Sequence, residues 1–448
     1  MSKRRLTATL FGALNLFGLA FPVSNLIAPR TFIPVRSQDE KFKAFSNNFQ
    51  QKCADCHSPG LTQYPFYFSL PIAKDIVHSD IMSAQQVFQI TPEQLSGLKP
   101  LTAVQLAKMQ RVIKDGRMPP TRYVAMHWNA SLSANESKEI LEWIRREPNG
   151  VGLKAIPENN PFHPSDSKVR LGKRLFFEKK LSADNSESCA SCHDLSKGGT
   201  DQATVSDGIR GQKGPINSPT VFNAAFNFAQ FWDGRASTLQ EQAAGPINNP
   251  LEMGSDWSQV LAKLNNDKSY RDDFGKIYPQ GITDKTVTDA IAVYEQTLIT
   301  PGSRFDRFLN GDDHALYDEE KQGYKLFVSN NCSSCHTGVN LGGLSYETMG
   351  IKQDYFAQRG GQLKEADLGR FNVTKNPLDK YKFKVPTLRN VELTSPYFHD
   401  GSAQSLDQAV ATMSRVQTGK VLSDRDTHLI VSFLKTLTGE LDGKALGH

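Results

Sequence analysis

Three copies of one pentapeptide constrain this chain more than any other feature of its sequence. Cys-x-x-Cys-His occurs at residues 53–57, 189–193 and 332–336, and the three copies together use all six cysteines of the 448-residue chain. No cysteine is left over for a disulfide framework. We therefore expect all three motifs to serve the same chemical purpose in the folded chain.

The spacing within the motif suits covalent attachment of haem. On a helical turn, residues i and i+3 share one face and residue i+4 lies beside them. Two thiols placed in this way can each bond one vinyl group, and the histidine can bind the iron. A redox dithiol does not need the histidine, and three zinc sites would need more thiols than the chain has. The sequence predicts three covalently bound haems c, attached through Cys53, Cys56, Cys189, Cys192, Cys332 and Cys335, with His57, His193 and His336 as iron ligands.

The N-terminus predicts export. Lys3, Arg4 and Arg5 precede a mostly apolar run over residues 6–28, which is typical of a chain that starts on the cytoplasmic side. The run is long enough to span a bilayer, and no clear cleavage site follows it. We therefore expect residues 1–29 to be a signal anchor in the inner membrane, with the rest of the chain in the periplasm. The alternative is a cleaved signal, which leaves a soluble periplasmic protein.

The charge balance argues against a nucleic-acid partner. The formal net charge is only +5, from 52 Lys and Arg against 47 Asp and Glu, and the basic residues form no blocks. Nucleic-acid binding requires a clustered basic patch.

The order of the remaining signals predicts a mainly α fold of three cytochrome c-like haem domains. Strand signals are few and short. Gly172, Leu175 and Phe176 before the second motif match Gly323, Leu326 and Phe327 before the third, which indicates a duplicated module. We expect a mono-haem domain over residues 30–146, a Pro- and Gly-rich linker over 147–166, and haem domains over 167–310 and 311–448.

Four helices are predicted from their caps and apolar spacing. Thr102 caps a helix that carries Leu106, Met109 and Ile113 on one face, and Ser133 with Glu136 forms a capping box. A third helix is expected to run from residue 283 to Pro301, and a fourth from Ser423 to Gly439.

Sixth ligands decide which haem transfers electrons and which has an open face. Met118, flanked by proline after a predicted helix, is expected to bind the first haem; Met109 and Met126 are the alternatives, and Met109 suits a core position. Met413 is either the second ligand of the third haem or a core methionine. After the second motif, Glu252 precedes Met253. A carboxylate over an open haem face could exchange protons with a bound peroxide, but a solvated glutamate is the alternative.

From about Pro161 to the C-terminus the chain resembles the bacterial di-haem cytochrome c peroxidase family. The N-terminal unit, including "MPPTRYVAMHW", is similar to a tri-haem branch described as membrane-anchored quinol peroxidases. The stretches that carry the main resemblance are "LFFEKKLSADNSESCASCHDLSKGGTD", "QKGPINSPTVFNAAFNFAQFWDGRASTLQEQAAGP", "LEMG", "CSSCHTGVNLGG" and "VPTLRNVELTSPYFHDG".

The resemblance implies a role for each matching residue. The haem at His193 is expected to reduce peroxide, with Glu252 as acid/base and Gln242 lining the pocket. The haem at His336, with Met413 as second ligand, is expected to transfer electrons through the region of Trp232. The resemblance also implies a calcium ion between the domains, held at the positions Asn217, Thr394 and Pro396.

One position departs from the family pattern. Many di-haem members carry a histidine in the loop after "GGTD" that blocks the peroxidatic iron, whereas the aligned residue here is Ile209. Isoleucine cannot bind iron. The hypothesis is that the His193 haem is five-coordinate as isolated and needs no reductive activation.

The expected activity is reduction of hydrogen peroxide to water with two electrons. The resemblance implies membrane quinol (ubiquinol or menaquinol) as donor, feeding the N-terminal haem, and "LTQYPFYFSLP" after His57 is either a quinone contact or haem-pocket packing. A small soluble cytochrome c is the alternative donor. An electron carrier without its own substrate is the non-enzyme alternative, and Met413 argues against an oxidase that modifies a partner protein. The di-haem relatives are usually dimers, so a homodimer is a further expectation.

Overall fold

The computed structural model describes residues 20–28, 30–147 and 150–447. The chain divides into two compact units, one ending at Val151 and the other beginning at Gly152. Both units are mainly helical, as predicted. The strands of the described residues form two short antiparallel pairs: β1 (Tyr346–Thr348) with β2 (Lys382–Lys384), and β3 (Glu440–Leu441) with β4 (Lys444–Ala445).

The first unit packs its helices around an aromatic core. Phe45 stacks on Trp143 at a centroid distance of 4.2 Å. Met109 is buried in the same core, in agreement with the core position that the sequence suggested for it. The predicted caps at Thr102 and Ser133 are both present as capping boxes. The helices are α1 (Glu40–Lys52), α2 (Ala54–His57), α3 (Pro71–Val87), α4 (Pro92–Leu95), α5 (Ala103–Asp115), α6 (Thr121–Met126) and α7 (Ala134–Arg146), and residues 20–27 are also helical.

The predicted membrane anchor needs correction. Most of the range 1–29 lies outside the described residues, and the part within them is the short helix over residues 20–27. In the part of the chain that the structure describes, no helix has both the length and the apolar character needed to cross a bilayer. The prediction of an inner-membrane location through an N-terminal anchor is therefore not supported.

The second unit contains two helical cores that follow one another along the chain. The first is built from residues between Leu171 and Leu298, and the second from residues between Phe305 and Leu437. The helices are α8 (Asp166–Phe176), α9 (Cys189–Cys192), α10 (Leu239–Asn248), α11 (Trp257–Asn266), α12 (Lys268–Ile277), α13 (Asp284–Glu295), α14 (Arg304–Leu309), α15 (Asp318–Ser329), α16 (Tyr355–Arg359), α17 (Phe371–Thr374), α18 (Leu406–Met413) and α19 (Asp424–Lys435).

The duplicated glycines lie at two equivalent helix crossings. Gly172 brings α8 onto α13, where an added Cβ would lie 1.9 Å from the carbonyl oxygen of Ala290. Gly323 brings α15 onto α19, where an added Cβ would lie 1.9 Å from the carbonyl oxygen of Leu429. Only a residue without a side chain permits this approach, so each glycine fixes the distance between its two helices.

Two predicted helices end earlier than the sequence suggested. The third predicted helix ends at Glu295 and not at Pro301, because Asn223 binds the following segment: its backbone N–H donates to Leu298 O at 2.8 Å, and its Oδ1 accepts from Thr300 N at 2.9 Å. The fourth ends at Lys435 and not at Gly439, whose N–H donates to Oδ1 of Asn390 at 3.0 Å. Tertiary hydrogen bonds replace the helical ones in both places.

The range predicted as a linker is partly packed. From Gly152 onward it belongs to the second unit, where Leu153 pairs with Gly338 and the Ile156 N–H donates to Asp306 Oδ1 at 3.1 Å. The prolines and glycines of this range indicate an irregular backbone. They do not indicate that the segment lacks tertiary contacts. The boundaries of the individual haem domains stay predictions.

Candidate haem and peroxide sites

All three Cys-x-x-Cys-His motifs form one helical turn. The backbone N–H of His57, His193 and His336 donates to the carbonyl of the first cysteine of its motif, at 3.0 Å in each case. This i to i+4 bond places the two thiols and the imidazole on neighbouring faces of the turn. The geometry therefore matches the arrangement that the motif predicts.

Each of the three imidazoles is held through its own Nδ1 atom. Nδ1 lies within hydrogen-bond distance of a backbone carbonyl in each: 3.0 Å from Phe88 for His57, 3.3 Å from Gly199 for His193, and 3.1 Å from Leu341 for His336. Burial lowers the pKa of all three rings, that of His336 to about 4. Neutral imidazoles fixed at Nδ1 leave Nε2 for iron. The donor sets fit haem c.

A second repeat lies behind the second and third motifs, and sequence reasoning missed it. Pro219-Thr220-x-x-Asn223 and Pro386-Thr387-x-x-Asn390 make equivalent contacts. The proline carbonyl of each accepts from the neighbouring motif histidine, and each asparagine has a left-handed backbone and binds the segment after a long helix. The signal P-T-x-x-N is present in the sequence and could have revealed this repeat.

Glu252 is a largely buried carboxyl beside the second motif. Its Oε1 accepts from Asn249 Nδ2 at 2.7 Å. Burial is the main cause that raises the pKa of the Cys192 thiol, and the charge of Glu252 contributes in the same direction. Burial raises the pKa of Glu252, while the charge of Arg235 and the Asn249 hydrogen bond act in the opposite direction. The residue is only partly exposed to solvent, and its role stays a prediction.

Ile209 holds the segment that carries Glu252. It is 2% exposed, and its N–H donates to the Glu252 carbonyl at 2.8 Å. Its Cδ1 lies 2.2 Å from the position that a Cβ on Gly254 would occupy. The turn is closed by a hydrogen bond from Gly208 N to Gln212 O at 2.7 Å. Ile209 therefore packs against the segment that carries Glu252.

The structure brings Trp232 and Met413 to the same apolar cluster. Both pack against the buried group of Met349, Tyr355, Phe356, Phe383 and Val416. Trp232 Nε1 donates to Asn217 O at 2.9 Å. Gln242 lies on α10, half-buried, and no hydrogen bond of its side chain is formed within the described part of the chain. The roles of these residues stay predictions.

The three residues predicted to hold calcium offer free oxygens. The side-chain Nδ2 of Asn217 donates to the carbonyl of Ala203 at 2.8 Å, so this hydrogen bond does not use its Oδ1. Among the described residues, no hydrogen bond reaches this Oδ1 or the carbonyls of Thr394 and Pro396. Oxygen donors of this kind suit Ca²⁺. Each residue thus offers a donor of a suitable kind, and the calcium site itself stays a prediction.

Around the first motif, a polar cluster surrounds Asp55. Its carboxylate accepts from Arg30 and from the Tyr123 hydroxyl, both at 2.9 Å, and the Tyr123 ring stacks on His127 at 4.0 Å. Met118 lies on the loop after α5 and is 43% exposed. No described contact joins Met118 to His57, so its role as a ligand stays a prediction.

One cluster of potential metal ligands was not anticipated. Ligand atoms of Asp367, His399 and Asp400 lie within 4.8 Å of one another. Arg359 pairs with both carboxylates, at 2.7 Å and 2.8 Å, and so offsets one of their two negative charges, while the Tyr355 hydroxyl donates to Asp400 and His399 Nε2 lies 2.8 Å from Asp367. The cluster therefore reads as an internal ion-pair network.

These features define a c-type haem protein with a duplicated helical core and a buried carboxyl beside one haem motif. The family model described as di-haem cytochrome c peroxidase matches residues 166–314, and one described as a haem-binding domain matches residues 23–146. The chain belongs to the di-haem cytochrome c peroxidase family and is a haem peroxidase.

Named relatives support this assignment. Cytochrome c peroxidase Ccp of Escherichia coli is 42% identical over 440 residues, which cover 95% of this chain and 94% of that protein. Cytochrome c551 peroxidase of Nitrosomonas europaea is 49% identical over 290 residues, 64% of this chain and 83% of that protein. The crystal structure of a MauG-like protein associated with microbial copper homeostasis aligns with a TM-score of 0.56 at 28% identity, over 66% of this chain and 95% of that one.

Proposed function

We propose that this chain is a periplasmic tri-haem peroxidase that reduces hydrogen peroxide to water with two electrons, at the haem of His193. The observation that carries the proposal is the Glu252 carboxyl, which is largely withdrawn from solvent, accepts a hydrogen bond from Asn249 and acts electrostatically on the Cys192 thiol of that motif. A haem iron with an open face supplies the binding and reduction of peroxide when the group is present. Glu252 supplies the proton transfer that peroxide reduction requires.

The neighbours of Glu252 position and tune that carboxyl. Asn249 holds Oε1 at 2.7 Å, and the Ile209 N–H holds the backbone carbonyl at 2.8 Å. Arg235 keeps the pKa from rising as far as burial alone would take it. The carboxyl can thus take a proton from peroxide and return it to the departing oxygen, which leaves as water.

For the electron donor we propose quinol, entering at the first motif. The support is an aromatic surface directly after His57: the side chains of Tyr64 and Phe66 are 53% and 59% exposed, while Tyr67 beside them is buried. Exposed aromatic rings suit stacking with a quinone ring. Tyr67 is buried and Leu61 packs against the core of this unit, so the packing role describes those two residues of the stretch.

A small cytochrome c is the second candidate donor, because relatives of this chain carry the name cytochrome c551 peroxidase. The two donors are separated by comparing peroxide-dependent oxidation of a ubiquinol analogue and of a reduced small cytochrome c. The matched variant Cys53→Ala/Cys56→Ala lacks only the first haem. We expect the quinol rate to fall at least tenfold in the variant. Equal quinol rates in both proteins, or turnover with the cytochrome alone, would contradict quinol entry at the first motif.

A further inference from the structure

Two buried lysines on β2 differ in whether their ammonium group has a partner. Lys382 and Lys384 are 9% and 5% exposed and flank Phe383. The Lys382 ammonium lies 3.4 Å from Asp379. The Lys384 ammonium makes no hydrogen bond or ion pair with any residue that the structure describes. One strand therefore presents a paired and an unpaired buried cation.

No carboxylate of the described chain compensates Lys384. Burial alone lowers its pKa to about 8, and no acidic side chain acts against that shift. Glu347 on β1 lies opposite Phe383, whereas Tyr346 lies opposite Lys384. Residues that face each other across a strand pair share one side of the sheet, so Glu347 is on the other side. A buried ammonium without a counter-charge is strongly disfavoured, which indicates that an anion outside the polypeptide belongs there.

The position of Lys384 identifies that anion. Two residues further along the chain, the Pro386 carbonyl accepts from the His336 ring. On its other side, the Lys384 N–H donates to the Trp232 carbonyl at 2.7 Å. The strand thus lines the pocket of the third motif, on the side of Trp232. Haem c carries two propionates, and these are the anions that the third motif brings to this pocket.

We propose that the Lys384 ammonium pairs with a propionate of the haem attached at Cys332 and Cys335. The ion pair offsets the propionate charge, which would otherwise favour ferric over ferrous iron. Lys384 therefore raises the midpoint potential of the haem at His336 and sets it as a relay of comparatively high potential. This inference rests on haem attachment at the third motif and not on peroxide turnover.

Spectroscopic redox titration of the full, haem-loaded chain tests the pair in the absence of peroxide. A Cys332→Ala/Cys335→Ala chain, which lacks the third haem, assigns the potentials. In Lys384→Met we expect the potential of the His336 haem to fall while the other two stay unchanged. Lys384→Arg keeps the charge and should keep the potential. Lys382→Met is the matched control and should leave all three potentials unmoved, because Asp379 is the partner of Lys382.

Haem stain and pyridine haemochrome spectra confirm that each variant carries three haems, and Lys384→Gln replaces the methionine variant if that chain loses haem. An unchanged His336 potential in an uncharged, fully loaded variant would overturn the proposal. A shift confined to another haem, or an equal shift in Lys382→Met, would overturn it as well. Because peroxide is absent, a failed peroxidase assignment leaves this measurement unaffected.

Discussion

At the scale of single residues, the pKa of Glu252 is set by opposing contributions from burial and from its neighbours. Desolvation raises its pKa, Arg235 and Asn249 lower it, and Ile209 fixes the backbone beneath it. The Arg235 guanidinium itself is held 3.5 Å over the Phe231 ring and pairs with Asp233 at 3.0 Å. These contacts fix the charge that tunes the acid.

Replacing Arg235 with glutamine should move the acid limb of the pH profile. Glu252 must be ionised to take a proton from peroxide, so kcat/KM for peroxide rises with pH through its pKa. Loss of the guanidinium charge raises that pKa further, and the limb moves to higher pH. Steady-state profiles measure the shift, with Lys213→Gln as the control because Lys213 lies on the Ile209 turn but does not act on Glu252. An unmoved limb in Arg235→Gln would contradict the account.

Ile209 makes a second prediction at this scale. Its side chain is buried against Gly254 and cannot bind iron. In the fully oxidised protein the His193 haem should therefore be high-spin and five-coordinate, and peroxide should be turned over without prior reduction. Electron paramagnetic resonance of the oxidised protein decides this point. A six-coordinate, low-spin signal assigned to that haem would show that another ligand occupies its open face.

At the scale of elements, the second unit is one helix pair used twice. Gly172 and Gly323 lie at the two crossings, and Asn223 and Asn390 end the segments that follow α13 and α19. The four positions repeat in the same order. The duplication that the sequence predicts from Gly-x-x-Leu-Phe thus extends through packing and into the haem pockets.

The crossings predict a contrast between glycines. Gly172→Ala and Gly323→Ala should each lower the free energy of unfolding by about 1–3 kcal/mol, because the added Cβ meets backbone and the helices must separate. Gly275→Ala on α12 should raise it by about 0.5–1 kcal/mol, since its Cβ would enter open space. Chemical denaturation of the haem-loaded proteins measures all three. Wild-type stability in Gly172→Ala and Gly323→Ala would refute the crossing argument.

What the sequence predicts depends on how local the signal is. The haem motifs, the Thr102 and Ser133 caps and the glycine repeat are short patterns whose meaning does not need the rest of the fold. The predicted ends of α13 and α19 were wrong because Asn223 and Asn390, which are distant in the sequence, bind the segments that follow these helices. Lys384 and Arg235 had no sequence signal, since their surroundings exist only after β1 and β2 pair and the Trp232 segment packs on them.

At the scale of the whole molecule, two units carry three equivalent haem motifs whose surroundings differ, and the second motif is the one whose Cys192 thiol lies within the electrostatic influence of Glu252. The strand of the unpaired Lys384 leads to Pro386 at the third motif, and its backbone is held by the Trp232 carbonyl. The first has a polar cluster around Asp55 and exposed aromatic rings. One attachment motif thus has three different surroundings, and our proposal places the chemistry of peroxide at the second motif.

The most direct test of that assignment mixes fully reduced, haem-loaded protein with hydrogen peroxide and follows haem oxidation by stopped flow. The account predicts rapid oxidation of the wild type and of the control Glu158→Gln, an exposed carboxylate of the same unit. Glu252→Gln should be slower by about 10²–10⁴-fold, the usual contribution of a general acid or base, with its haem content intact. Oxidation of Glu252→Gln at the wild-type rate would remove Glu252 from the mechanism and contradict the account.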